Sequence, residues 1–165
     1  MISTGGNSMT ADAPLDSQLL YLEDLVPGQR WVSGTCSVDE AAIRAFAEQF
    51  DPQPFHLDPA AAQSTFFEGL AASGWHTAAL TMRLLVTGGL RLAGGLIGTG
   101  GTLSWPKPTR PGDVLRVETE VVEVKPSRSR PDRGMATFRC STLNERNELV
   151  QLFMGNLLVW RRKTP

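Results

Sequence analysis

Gly74-Trp75-His76-Thr77-Ala78-Ala79-Leu80-Thr81-Met82-Arg83-Leu84-Leu85-Val86 is the stretch on which the fold turns. Ala78, Ala79, Leu80, Met82, Leu84, Leu85 and Val86 leave almost no polar face, and a helix apolar nearly all round is one surrounded by protein. It falls well short of the ~20 apolar residues that span a bilayer. Gly88-Gly89 supplies the stop. Downstream of Gly94-Gly95 the hydrophobic period changes to two. Leu96 to Trp105, Val114 to Val124, Met135 to Leu143 and Leu149 to Trp160 read as four successive strands. In the second of them Leu115, Val117, Thr119 and Val121 alternate with Arg116, Glu118 and Glu120.

Upstream, Arg30 to Val38 reads as a first strand. Ser37 with Glu40 three positions later matches a capping box opening a helix. Ile43, Phe46, Ala47 and Phe50 give that helix one buried face, and Asp51-Pro52-Gln53-Pro54 ends it. Pro59 to Thr65 reads as one or two helical turns. One strand, a block of helices and four strands in a row predict an α+β fold, a curved antiparallel sheet wrapped around a central apolar helix. That is the hotdog fold. A doubly wound α/β domain would need strands and helices to alternate, and they do not. Residues 1-16, rich in Ser, Thr, Gly and Asn with no apolar run, are expected to be a disordered leader, and 17-165 a single domain.

The charge balance narrows the function. Sixteen Lys and Arg against seventeen Asp and Glu give a net charge of -1, which removes the electrostatic case for general nucleic-acid binding. Cys36 and Cys140 belong to no CxxC or Cys/His cluster, so they read as apolar residues of a reducing compartment; no metal ligand set is expected. The expected location is the cytoplasm, with no membrane partner.

Two places carry groups suited to chemistry. Phe50-Asp51-Pro52-Gln53-Pro54-Phe55-His56-Leu57-Asp58 holds a carboxylate and an imidazole in a proline-stiffened loop, where both can reach one water molecule. Read on spacing alone, an Asp-Pro turn with a surface histidine is the plainer account of these residues. Ala72-Ser73-Gly74-Trp75-His76 opens the apolar helix. The first N–H groups of a helix have no intrahelical acceptor and carry partial positive charge, so with Gly74 present a carbonyl oxygen can approach them. The plainer reading is that Ser73 caps the helix and Gly74 permits close packing. His76 reads as a core-facing ring or a pocket wall.

The run from Phe50 to Pro59 resembles the signature loop of the MaoC-like dehydratases and (R)-specific enoyl-CoA hydratases, Gly-Asp-x-Asn-Pro-aliphatic-His, with the acid and histidine five apart as here. The likeness continues through Gly74 and into Leu103-Ser104-Trp105, Pro106, Pro108 and Pro111-Gly112-Asp113. Phe50, Gln53 and Ser73 stand where that family commonly has glycine, asparagine and histidine. The resemblance implies that Asp51 and His56 are catalytic and activate water, and that the Gly74 amide polarises a thioester carbonyl. Gln53, Phe55, Ser73, Trp75 and His76 are expected to contact substrate.

The expected activity is that of a hydro-lyase, reversible hydration of a trans-2-enoyl-CoA to the (R)-3-hydroxyacyl-CoA. No cofactor is expected, coenzyme A being part of the substrate. A hotdog acyl-CoA thioesterase and a non-catalytic acyl-CoA-binding protein are the alternatives. Lys107, Arg110 and the basic turn from Lys125 to Gly134 read as solvated charge or as contacts for coenzyme A phosphates. Leu149 to Trp160 is apolar on both faces, which points to a homodimer or a larger oligomer.

Overall fold

A computed structural model describes residues 19–163; the expected leader lies outside them. The strands are β1 (Arg30–Val32), β2 (Cys36–Ser37), β3 (Ile97–Ser104), β4 (Val114–Pro126), β5 (Arg133–Leu143) and β6 (Leu149–Trp160). The helices are α1 (Glu40–Phe50), α2 (Pro54–Leu57), α3 (Pro59–Ala62) and α4 (Gly74–Thr87). The sheet is antiparallel in the order β1-β4-β5-β6-β3, with β2 also paired to β4. It curves around α4, as the order of elements predicts. Alternating residues of the central strands, among them Leu115, Val117, Val121, Phe138, Val150 and Val159, are buried and pack with Leu84 and Leu85 of α4.

The strand expected over Arg30 to Val38 is two short strands. Ser33 leaves the ladder to accept a hydrogen bond from the Val117 amide through its hydroxyl, at 2.8 Å. The expected cap at Ser37 is also corrected. Ser37 pairs with Val114 in the β2–β4 ladder, and Val38 is buried, so the helix starts after it. Asp39 is the cap, its carboxylate accepting from the Ala42 amide at 2.7 Å. A short carboxylate does the same work for the orphan amides as a serine hydroxyl.

The helix α4 departs from expectation in one respect. Its buried residues are His76, Thr77 and Thr81 alongside Leu84 and Leu85, while Trp75, Ala79, Met82 and Val86 form an exposed apolar stripe. The chain sheathes one side of the helix only. At the sheet margin, β3 is a glycine-rich edge strand, exposed over most of its length. Its pairing with β6 shifts register between Gly98 and Gly100, where Gly100 has a φ of 149°. That is a β-bulge, of the kind glycine in a strand permits.

Candidate active site

Asp51 and His56 owe their positions to how α1 ends. Pro52 and Pro54 block helix continuation, so Asp51 becomes the C-cap of α1 and the chain restarts at Pro54 as the single turn α2. What reads in sequence as a loop is therefore partly helical, and the turn carries His56 inward until it is buried. Its Nδ1 faces the Ala71 carbonyl oxygen at 2.7 Å. A carbonyl accepts only, so Nδ1 carries the proton and, in the neutral ring, Nε2 presents its lone pair. Nε2 lies 3.3 Å from Asp51 Oδ2.

Two donors hold the Asp51 carboxylate. The Ser73 hydroxyl donates to Oδ2 at 2.6 Å and the Gln53 amide donates to Oδ1 at 2.6 Å. Burial opposes the charge on Asp51, but these two hydrogen bonds, with the His56 imidazole beside them, hold its carboxyl below the usual aspartate range. The sign follows from linkage. The charged form is favoured by folding, so this contribution to stability is present above the unfolded pKa and is lost as pH falls through the depressed folded value.

Ser73 is fully buried, and its hydroxyl also accepts from the Trp75 amide at 3.2 Å as the cap of α4. One hydroxyl thus ties the carboxylate to the first turn of the central helix. Its hydrogen-bonding capacity is used by protein groups, so Ser73 positions Asp51; the expectation that it contacts substrate is not what the geometry favours. No hydrogen bond joins the Gly74 amide to another described residue. Gly74 is required for a reason other than substrate access: a β-carbon there would lie 2.6 Å from the Trp105 ring.

A cavity of about 510 Å³ opens at this end of α4. Asp51, Gln53, Phe55, His56, Gly74 and Trp75 all line it, so six of the eight residues singled out in sequence come together. His76 does not. It packs face to face on Phe46 of α1 at 4.8 Å, buried, with Nδ1 unpartnered, and burial pushes its imidazole below the ordinary histidine value. Helical periodicity turns position 76 away from the cavity that Gly74 and Thr77 line.

Phe66 and Phe67, close enough in sequence to Phe55 and Trp75 to narrow a pocket with them, line it too, while sequence reasoning missed Thr77, Trp105 and Thr109. Trp105 and Thr109 belong to the link between β3 and β4, which carries Pro106 and Pro108 and folds over the mouth of the cavity. The cationic candidates resolve differently. Arg110 donates to the carbonyl oxygens of Phe67, Gly69 and Leu70, clamping the turn behind Phe66 and Phe67, and is committed there. Lys107 lines the cavity and pairs with Glu148 at 2.6 Å. The basic turn after β4 lies at the far end of that 13-residue strand and none of its residues lines the cavity.

A second hollow of about 560 Å³, beside Tyr21 and Trp160, is lined by Arg161 and Arg162, but these are paired with Glu23 and Asp24 and no histidine is near. Among the described residues no three or more His, Cys, Asp or Glu side chains gather to hold a metal, and no helix is long and apolar enough to cross a membrane. The chemistry within reach is therefore that of a carboxylate, an imidazole and a helix N-terminus sharing one aromatic cleft.

Solved structures with a similar fold are numerous. The chain is 59% identical to a MaoC-like dehydratase from Rhodospirillum rubrum of known structure, with a TM-score of 0.86 over 88% of this chain and 99% of that one. It is 32% identical to the uncharacterised protein YdeM of Bacillus subtilis, over 85% of this chain and 97% of the relative. A 3-hydroxybutyryl-CoA dehydratase of Methylorubrum extorquens is 35% identical, over 68% of this chain and 71% of its own. The model of the MaoC like domain matches residues 26–139, from the turn before β1 into β5, and takes in Asp51, His56 and Gly74. The hotdog fold is shared with these structures, and the chain belongs to the MaoC-like dehydratase family.

Proposed function

We propose that this MaoC-like protein is a hydro-lyase that reversibly hydrates a trans-2-enoyl-CoA to the (R)-3-hydroxyacyl-CoA. One observation carries the reading. Asp51 Oδ2 and His56 Nε2 are two acceptors 3.3 Å apart, facing a cavity that Gly74 also lines. Atoms that close together lie within reach of one and the same water molecule. In the forward direction the thioester oxygen accepts from the Gly74 amide, which stabilises the enolate-like charge. The water oxygen bonds to C3 as the Asp51/His56 pair takes one of its protons, and a proton is returned to C2 from the same side. Nothing else enters or leaves. The similarity to a protein described as a 3-hydroxybutyryl-CoA dehydratase supports the substrate class.

Crotonyl-CoA is the substrate of choice for the test. Loss of enoyl absorbance without release of free thiol is the expected result. Thiol release would mean a thioesterase, and tight acyl-CoA binding with neither change would mean a binding protein.

Ser73 gives a sharper check of the assignment. Ser73→Ala removes a hydrogen bond to the charged form of Asp51, so the Asp51 pKa rises toward its ordinary value. The acid limb of the kcat/KM profile then moves to higher pH and kcat falls roughly tenfold, the size of one hydrogen bond to a charged group. An unmoved acid limb would detach Asp51 from the chemistry.

The reading includes a homodimer. The exposed stripe Trp75, Ala79, Met82 and Val86 and the open edge of β3 lie uncovered, and an exposed strand edge beside apolar surface is what a second copy covers. Light scattering at micromolar concentration is expected to give twice the 17.9 kDa chain mass or a multiple of it; a monomer would remove this part of the reading.

A further inference from the structure

Gln151 sits near the start of β6 with only 1% of its surface exposed, and the mechanism above makes no use of it. A carboxamide in an apolar layer is costly unless both its ends are partnered. Here both are. The Trp105 indole Nε1 donates to Gln151 Oε1 at 2.9 Å, and Gln151 Nε2 donates to the Thr81 hydroxyl at 3.0 Å. The hydroxyls of Thr81 and Thr142 are 2.7 Å apart and both residues are buried. An indole N–H is donor only, so it fixes which way the amide faces. The relay runs from β5 through α4 to β6 and ends on one ring in the cavity wall.

That ring is fixed on its other side too. Its six-membered ring lies against Gly74, where a β-carbon would be 2.6–2.8 Å from Cε2, Cδ2 and Cζ2, and Trp75 meets it edge-on at 5.5 Å. Trp105 is therefore pinned by a hydrogen bond and by close packing at the amide proposed to bind the thioester oxygen. An oxygen accepting from that amide at about 2.9 Å brings the carbonyl carbon and C2 into van der Waals range of whatever packs on the Gly74 α-carbon. In that pose an unbranched acyl group would lie along the indole, and a methyl group on C2 would be directed at the ring that already excludes a β-carbon at position 74.

We infer that Trp105, held by the Gln151–Thr81–Thr142 relay, is the specificity-determining residue of the cleft and excludes acyl groups substituted at C2. The inference rests on the hydro-lyase reading of the same site and names a property that reading leaves open. A single methyl group against a tight pocket is worth about 10–200-fold in discrimination.

The test compares two pairs of ligands on the full chain. Hydration of crotonyl-CoA is set against that of its 2-methyl analogue tiglyl-CoA, and calorimetric affinity for butyryl-CoA against that for 2-methylbutyryl-CoA. The native protein is expected to favour the unbranched member at least ~10-fold. Trp105→Ala is expected to erase most of that preference, and Gln151→Leu, which keeps the indole but releases it, to erase part. If Trp105→Ala does not fold, Trp105→Phe with Gln151→Leu decides the matter by the same ratios. Folded variants that keep the native preference, or a native protein that takes both members equally, overturn the inference and leave the hydro-lyase reading standing. A native protein that hydrates neither enoyl-CoA, yet whose binding preference collapses in Trp105→Ala, overturns the hydro-lyase reading and leaves the wall. Absence of binding by any of the four ligands overturns both.

Discussion

His56→Ala and Asp51→Asn are each expected to lower kcat for crotonyl-CoA hydration by ~10²–10⁴, the usual size of a general acid–base contribution. The geometry says why neither is tolerated. Both oxygens of Asp51 already accept, from Ser73 and from Gln53. An asparagine must turn its NH2 toward one of these two donors, so it loses the charge and gains a clash of like dipoles in a nearly isosteric shape. In His56→Ala the Ala71 carbonyl loses its partner, and the rings of Phe55 and Phe67 lose the imidazole that packs against both. Butyryl-CoA affinity should change far less than kcat, because the Gly74 amide and the aromatic wall remain. Native turnover in either variant would remove the pair from the mechanism.

Phe138→Ala is the largest stability loss expected, about 3–5 kcal/mol. Phe138 is 1% exposed and sits on β5 between its partners Val121 of β4 and Gly155 of β6. The site cannot close over the missing ring, since β5 is held in register on both sides. A small void of about 20 Å³ beside Met82, Leu85 and Phe153 already marks the packing limit there. Denaturant unfolding at fixed protein concentration measures the effect. A loss below ~1 kcal/mol would mean that the ring is not part of the structural core.

The sequence was most legible where one period dominates. The limits of β6 agree with the reading of Leu149 to Trp160, and α4 starts at Gly74 and stops before Gly88. The break between β1 and β2 was not legible, because Ser33 looks like any strand serine until Val117, 84 positions on, is beside it. Apolar content shows that α4 is enclosed but not by what: the sheet takes Leu84 and Leu85, and the stripe from Trp75 to Val86 is left uncovered by the chain itself.

At the site, local spacing exposed Asp51 and His56 because the prolines act on their own neighbours. The role of Ser73 depends on a contact across 22 positions, and that of Trp105 on one across 46. Neither leaves a trace in local pattern. Gln53, which stands where the family commonly has asparagine, still reaches the carboxylate from two residues away.

The missing β-carbon at position 74 ties its fate to a residue on a different element. A side chain at 74 can be accommodated only after the indole at 105 has shrunk or swung away, while a smaller residue at 105 leaves a gap that any side chain at 74 would help to fill. Measured singly and together, changes at the two positions will not sum. In a lineage drifting toward bulkier substrates, the order of substitution is therefore constrained: the aromatic must yield first, and only then does the glycine become free to vary.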